Sequence, residues 1–214
     1  DIPFDRSFNA YRGCEHGCIY CFARPTHAWH SLSPGLDFET KLFAKPTGPA
    51  LMRAAFAKAG YTPEVLAMGT NTDPYQPIEA RFGITRAVLE LCLETRHPVS
   101  ITTKSARVLR DLDLLAALAG KELVVVMLSV TTLDPGLARV MEPRASAPHR
   151  RIATIRALSA AGVPAFVSAS PMIPGLNDHE LEAILEAAAQ AGAVGAFCQP
   201  VRLPPEVAPR FEEW

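Results

Sequence analysis

Short apolar segments alternate six times with longer segments rich in alanine and leucine, and this alternation constrains the fold more than any other feature. The short segments have the length and β-branched content of strands, whereas the long ones repeat apolar residues at helical spacing. A strand–helix–strand repeat predicts parallel strands joined by right-handed crossovers. The predicted strands span residues 6–12, 64–69, 99–103, 123–129, 165–170 and 194–199.

Five helices are predicted between or after these strands, over residues 49–59, 84–96, 106–119, 148–161 and 178–191. Asn177 or Asp178 is suited to cap the start of the last helix. A short extended piece over residues 39–44 belongs to the long first connection. Glycine accommodates a left-handed residue at the end of a helix. Four of the predicted helices end at such a residue: Gly60, Gly120, Gly162 and Gly192.

The alternation predicts an α/β chain whose strands close part of a barrel. A complete barrel of eight βα units takes about 250 residues. This chain has 214 residues, so a partial (βα)6 TIM-like barrel with a parallel sheet fits better. A doubly wound open sheet would give the same alternation and remains an alternative. Residues 1–214 are expected to form a single domain, and because the chain begins with Asp1 rather than Met, we expect native residues to precede it.

Composition limits the class of protein. No apolar run approaches the roughly 18 to 20 residues of a membrane span, and no signal peptide is visible, so no membrane partner is expected. The net charge of -1 argues against a protein that coats nucleic acid. The cysteine count is odd and three cysteines crowd into eight positions, which is unlike a disulfide framework and favours a reducing, cytoplasmic setting.

Those three crowded cysteines, Cys14, Cys18 and Cys21, have the spacing C-x3-C-x2-C. Cysteine thiolates are the usual ligands of a [4Fe–4S] cluster, which needs four ligands. A loop that supplies three leaves one iron open to a small molecule, so the spacing favours catalysis over electron storage. The alternative is a zinc site that combines these cysteines with one of His16, His27 or His30.

Polar residues follow the predicted strands at the ends where a parallel barrel carries its active site. Because these ends meet at one face of a barrel, the pattern predicts a ligand site there. The alternative is that polar residues are common in all loops. The segments concerned are residues 69–76, 102–105, 129–132, 168–175 and 198–199.

The segments GCEHGCIYCFAR, GTNTDPYQPIE, VSITTKS, VMLSVTTLD and MIPGLND together resemble the radical S-adenosylmethionine superfamily, in particular its spore photoproduct lyase-like branch. The resemblance covers essentially the whole chain. It implies an enzyme with a [4Fe–4S] cluster and S-adenosylmethionine, which is cleaved reductively to a 5′-deoxyadenosyl radical that abstracts hydrogen from a substrate. It also implies a one-electron donor such as ferredoxin or flavodoxin.

The resemblance assigns roles to individual residues. Cys14, Cys18 and Cys21 would ligate iron. The methionine amino group would be received by the segment Gly69, Thr70, Asn71, Thr72 and Asp73, which otherwise reads as a turn.

The remaining cosubstrate contacts are implied in the same way. Lys104 would bind the methionine carboxylate, and Ser129 the ribose or the carboxylate; each could instead be a solvated loop residue. Tyr20 and Phe22 would contact adenine or pack over the cluster. Ile173 and Pro174, in a segment that Asn177 closes, would pack against adenine.

Several residues have less defined roles. Glu142, with Arg144, Arg150 and Arg151, would clamp a carboxylate, a phosphate or a substrate, or would belong to the basic start of a surface helix. Cys198 would donate a hydrogen atom at the active face. Cys92 lies within a predicted helix and is expected to be an inert core thiol.

The substrate is the least defined part of the resemblance. Spore photoproduct lyases keep a hydrogen-donating cysteine downstream of the cluster, and no cysteine lies between Cys21 and Cys92 here, so that specific activity does not carry over. A nucleic acid or nucleotide is favoured as substrate by analogy alone. The alternatives are a peptide or a metabolite, or a non-catalytic iron–sulfur or zinc protein.

Overall fold

The structure is a computed structural model that describes residues 4–214. Its main sheet has six parallel strands, and a second, two-stranded antiparallel sheet lies within the first connection. In chain order the strands are β1 (Arg6–Phe8), β2 (Tyr11–Arg12), β3 (Phe43–Ala44), β4 (Leu66–Met68), β5 (Val99–Thr103), β6 (Val124–Ser129), β7 (Ala165–Met172) and β8 (Gly195–Pro200).

The strand order of the main sheet is β1-β4-β5-β6-β7-β8, which is the order of the chain. Every neighbouring pair in it is parallel. A doubly wound sheet would reverse direction at a switch point, where the strand order turns back on itself. The order within residues 4–214 contains no such reversal, so the predicted partial barrel is confirmed over the doubly wound alternative.

Nine α-helices connect or follow these strands in the described part of the chain. They are α1 (Asp37–Thr40), α2 (Gly48–Phe56), α3 (Glu79–Phe82), α4 (Ile84–Thr95), α5 (Leu112–Ala119), α6 (Pro135–Met141), α7 (Pro148–Ala160), α8 (Leu181–Gln190) and α9 (Ala208–Glu213). Three 3-10 helices add Arg24–His30, Ala106–Asp111 and Asp178–Glu180. No helix between residues 4 and 214 has both the length and the apolar composition that crossing a lipid bilayer requires.

The core lies between the sheet and the helices. Met68, Ile101, Val126 and Ala165 are paired in register across four adjacent strands, and each is at most 1% exposed. Leu89 of α4, Leu115 of α5 and other apolar helix residues complete the same buried cluster. This layer fixes the strand register, and the register in turn brings the carboxyl ends of the strands together.

Several predicted element bounds are wrong. The predicted strand 6–12 is two strands that belong to different sheets, because the chain turns between Phe8 and Tyr11. The predicted extended piece 39–44 is helical at its first two residues, since α1 ends at Thr40, and only Phe43–Ala44 form a strand. The predicted helices 106–119 and 178–191 each begin with a 3-10 turn. The sequence patterns do not predict α1, α3, α6 or α9, although Asp134 caps α6 by accepting a hydrogen bond from the Gly136 amide.

Two predicted helix-end features also differ. Asn177 is the N-cap residue of the 3-10 turn that opens the predicted helix 178–191, but its side chain makes no capping hydrogen bond, and α8 itself follows Glu180. The Asn177 side chain is instead buried, with its oxygen accepting from the Ile173 amide at 2.6 Å. Gly60, Gly162 and Gly192 have positive φ as expected, but Gly120 does not, and the left-handed residue after α5 is Glu122.

Candidate active site

A cavity of about 430 Å³ lies at the carboxyl ends of the sheet strands. This volume falls within the range of small-molecule sites. Twelve of the predicted site residues line it: Cys14, Cys18, Tyr20, Cys21, Phe22, Gly69, Thr70, Asn71, Thr72, Asp73, Lys104 and Ser129. Glu142, Ile173, Pro174 and Cys198 do not line this cavity.

The cysteine loop is held by Arg24, which sequence reasoning missed. This arginine is 2% exposed, and its guanidinium donates to the carbonyl oxygen of Gly17 at 3.1 Å and to that of Cys18 at 2.9 Å. It also forms an ion pair with Glu39 at 2.6 Å. Because these bonds reach main-chain atoms of the loop, they fix its path independently of the cysteine side chains.

The start of the same loop lies against α1. The Cys14 amide donates to the carbonyl oxygen of Phe38 at 2.9 Å. Gly13, with φ of 77°, comes so close to that oxygen and to His27 that an added Cβ would have no space. The three cysteines therefore project from a loop whose backbone is fixed at both ends.

The separation of the three thiols fits a multi-iron cluster better than a single ion. Burial raises the pKa of Cys14 to about 12 and also raises the pKa of Cys18 and Cys21, so these groups are protonated thiols until a metal displaces their protons. Across residues 4–214 no three His, Cys, Asp or Glu side chains converge closely enough to hold one metal ion. Zinc would need its ligands within about 2.3 Å of one centre, whereas cysteines on a cubane bind separate irons.

The three histidines of the zinc alternative contact other groups of the protein. His27 is fully buried and its Nε2 lies 3.0 Å from the carbonyl oxygen of Lys41, while His30 stacks on Phe43. His16 lines the cavity, with its Nδ1 3.4 Å from a carboxylate oxygen of Asp73. Burial lowers the pKa of His16 and favours its neutral form.

The loop after β4 is anchored by Asn9, a second residue that sequence reasoning missed. The Asn9 oxygen accepts from the amides of Asn71 and Thr72 at 2.9 and 3.2 Å, and its amide nitrogen donates to the Thr70 hydroxyl at 2.9 Å. These bonds join positions more than sixty residues apart, so no local pattern reveals them. The only local signal is a polar residue directly after the first strand.

Asp73 joins this loop to the end of β5. Its carboxylate accepts from the Tyr75 amide at 2.8 Å, from the Thr103 hydroxyl at 2.7 Å and from the Lys104 amide at 2.7 Å. The carboxylate therefore spends much of its hydrogen-bonding capacity on the protein itself. The bond from the Tyr75 amide fits the turn interpretation of this segment, and its binding role stays a prediction.

Lys104 and Ser129 lie beside a buried ionic network. The Glu142 carboxylate is fully buried, pairs with Arg151 and accepts from the hydroxyls of Tyr20 and Thr131. Its second cationic neighbour is Lys104, whose Nζ is 3.9 Å away. Burial alone would raise the pKa of Glu142, but Arg151 and Lys104 outweigh that effect and lower it to about 2.

The other predicted residues lie outside the cavity. Arg144 pairs with Glu39 on the outer side of the cysteine loop, and Arg150 is exposed. Ile173 packs against Tyr20 and Met141. Cys198 is exposed on β8, the edge strand, and its neighbour Gln199 lines the cavity instead. Cys92 is buried in the core on α4, as expected.

Known proteins match this chain both in sequence and in fold. Residues 8–188 match the model of the Radical SAM superfamily. An uncharacterized protein of Mycobacterium tuberculosis is 36% identical over 229 aligned residues, which cover 99% of this chain and 67% of the relative.

Two solved structures share the fold. Streptococcus suis SuiB bound to S-adenosylmethionine aligns with a TM-score of 0.66 at 14% identity, over 93% of this chain and 41% of that one. A spore photoproduct lyase variant with bound AdoMet and dinucleoside spore photoproduct aligns with a TM-score of 0.70 at 15% identity, over 97% of this chain and 59% of that one. The chain thus spans about half the length of these two proteins.

Proposed function

Because the chain belongs to the radical S-adenosylmethionine superfamily, whose enzymes use a [4Fe–4S] cluster and S-adenosylmethionine, we propose that it generates a radical in this cavity and abstracts hydrogen from a substrate. The observation that carries the proposal is the convergence of Cys14, Cys18 and Cys21 with Lys104 on one cavity at the carboxyl ends of the strands. When bound, the cluster and cosubstrate supply reductive cleavage to methionine and a hydrogen-abstracting 5′-deoxyadenosyl radical.

In this proposal the residues of the chain bind, orient and shield. The three cysteines hold the cluster, and the loop segment from Gly69 to Asp73, which lines the same cavity, receives the amino group. Lys104 offers its ammonium to the carboxylate of the cosubstrate. The apolar cluster of Tyr20, Met141 and Ile173 closes the region behind the cysteine loop against water.

A nucleic acid or nucleotide is the substrate class that we favour. Phe22 and Arg202 both line the cavity and are exposed, so an aromatic face and a cation are available at its mouth. Aromatic stacking combined with phosphate contacts is the usual way in which proteins bind single-stranded nucleic acid. A one-electron donor such as ferredoxin or flavodoxin belongs to the proposal, because the reductive cleavage needs an electron. So does a cytoplasmic location, because none of the five cysteines forms a disulfide.

The proposal predicts cosubstrate cleavage by the purified protein. Anaerobic reconstitution should load about four irons per chain, and addition of S-adenosylmethionine and dithionite should yield 5′-deoxyadenosine. Incubation with deuterated oligonucleotides, peptides or metabolites would then show which class transfers label to 5′-deoxyadenosine. A fully loaded cluster that gives no cleavage would refute the catalytic proposal, and label transfer from a peptide alone would refute the substrate class.

The role of Lys104 gives a second prediction. Lys104→Ala should keep the cluster but bind S-adenosylmethionine more weakly by about 1.5 to 3 kcal/mol, which is the usual contribution of a hydrogen bond to a charged group. Titration of the reconstituted protein with S-adenosylmethionine measures this difference in binding free energy. Lys58→Ala is the matched control, because Lys58 is exposed after α2 and does not line the cavity. Equal affinities of Lys104→Ala and wild type would contradict the assignment of Lys104.

A further inference from the structure

The buried ionic network beside the cavity contains one cation more than its carboxylate can neutralise. We propose that Arg151 is a positioning residue: it neutralises Glu142 and thereby leaves the Lys104 ammonium available to a carboxylate in the cavity. This inference rests on the proposed function, in which Lys104 receives the carboxylate of S-adenosylmethionine. It assigns to Glu142 and Arg151 a role different from the direct clamp that the sequence suggested.

The geometry shows that Arg151 is the closer partner of Glu142. Its guanidinium bonds the Glu142 carboxylate directly and also donates to the carbonyl oxygens of Ser129 at 3.0 Å and Ser146 at 2.6 Å. Arg151 is 1% exposed, so it has no solvent to compensate its charge. With one ion pair and two further bonds, each of its three nitrogens donates to a protein atom.

Lys104 is arranged differently around the same carboxylate. Its Nζ is 3.9 Å from Glu142, which is beyond hydrogen-bond distance, and within residues 4–214 this nitrogen makes no hydrogen bond. Asp73 is the other nearby carboxylate, and it accepts a hydrogen bond from the main-chain amide of Lys104 rather than from its ammonium. Lys104 lines the cavity, so its donors remain available to a ligand.

Charge balance gives Arg151 an effect at a distance. Glu142 carries one negative charge and has two cationic neighbours, Lys104 and Arg151, so these three groups together have a net charge of about plus one, while Asp73 accepts from the Tyr75 amide, the Thr103 hydroxyl and the Lys104 amide. If an uncharged residue replaces Arg151, Glu142 becomes a buried anion whose only close cation is Lys104. Coulomb attraction in a buried setting is strong enough to draw the ammonium to it. The cavity then loses the cation that a ligand carboxylate requires.

The test compares S-adenosylmethionine with decarboxylated S-adenosylmethionine, which lacks only the carboxylate. Dissociation constants of both are measured on the anaerobically reconstituted protein, and the preference is their ratio. We expect Arg151→Met to reduce this preference about tenfold, corresponding to the loss of one charge-assisted contact. The double variant Glu142→Gln/Arg151→Met, which removes both charges, should recover it to within about threefold of wild type.

Two further variants make the result decisive. Arg150→Met is the matched control, since Arg150 is the exposed neighbour on α7 and should retain the wild-type preference. If Arg151→Met does not fold, the double variant and Glu142→Gln decide the question. Both should have a preference within about threefold of the wild-type value.

The outcomes separate the two proposals. Unchanged preference in Arg151→Met, or loss of preference in the double variant, would overturn the role of Arg151 while leaving the proposed function intact. Failure of the wild-type protein with a loaded cluster to bind S-adenosylmethionine would overturn the proposed function itself. Recovery in the double variant is the result that a purely structural role of the pair does not give.

Discussion

Cys18→Ala protein, reconstituted anaerobically, is expected to lose most of its iron and to form no detectable 5′-deoxyadenosine. Two cysteines of the loop cannot replace three as ligands of a cubane. The substitution should remove little else, because Arg24 holds the loop through the carbonyl oxygen of Cys18 and not through its thiol. We therefore expect the metal-free variant to keep the wild-type unfolding free energy within about 1 kcal/mol.

Iron content, visible absorbance and product analysis test this expectation together. Cys92→Ala is the control, since Cys92 is a fully buried thiol in the core on α4 and does not line the cavity. That variant should load iron and cleave the cosubstrate as wild type does. A Cys18→Ala protein that loads a full cluster would show that another side chain provides the ligand, and the proposed function would then lose its basis.

The sequence predicts the site to the extent that the fold brings strand ends together. Polar residues after β4, β5 and β6 were expected to meet because the carboxyl ends of parallel strands share one edge, and Thr70, Lys104 and Ser129 do line one cavity. The spacing of the cysteines likewise placed three thiols on one loop. These features are local in sequence or follow from strand order, so pattern alone suffices to predict them.

The contacts that anchor the site could not be predicted in this way, although Arg151 itself was a candidate residue. Asn9, Arg24 and Arg151 act through hydrogen bonds to main-chain and carboxylate groups that only the tertiary fold brings near. An arginine near a cluster motif reads equally well as a solvated cation or as a substrate ligand. Only the burial of the side chain decides between these two interpretations. Arg24 and Arg151 are 1 to 2% exposed, so they bind groups within the protein and stabilise the site.

The same limit explains the errors in the fold. The segment 6–12 has the apolar content of one strand, but Asn9 turns its side chain to the loop after β4, and the chain leaves the main sheet there. The strand 123–129 is apolar throughout, which is typical of a sheet covered on both faces. In the structure Val125 is 39% exposed, because the inner face of an open partial barrel is not fully covered by residues 4–214.

The glycine at the end of β4 should be the position where the smallest substitution has the largest effect on the fold and the site together. Gly69 has a φ of 88°, and an added Cβ would lie far inside van der Waals contact with the carbonyl oxygen of Thr102 on β5. That neighbour is main chain of a paired strand, since Met68 is in register with Ile101, so it cannot move away alone. Either β5 separates from β4 or the loop of Gly69 to Asp73 moves.

Gly69→Ala is therefore expected to lower the free energy of unfolding by about 3 kcal/mol or more, which is the range of backbone strain combined with overpacking. Gly162→Ala separates these two causes. Gly162 has a φ of 73° after α7, but nothing lies within 4 Å of its added Cβ, so only conformational strain of about 1 kcal/mol should appear. Urea unfolding of both variants measures the difference. Binding of S-adenosylmethionine should fall in Gly69→Ala alone, because only at Gly69 does the displaced backbone belong to the cavity. Equal losses of stability in the two variants would show that the contact with Thr102 does not fix this loop.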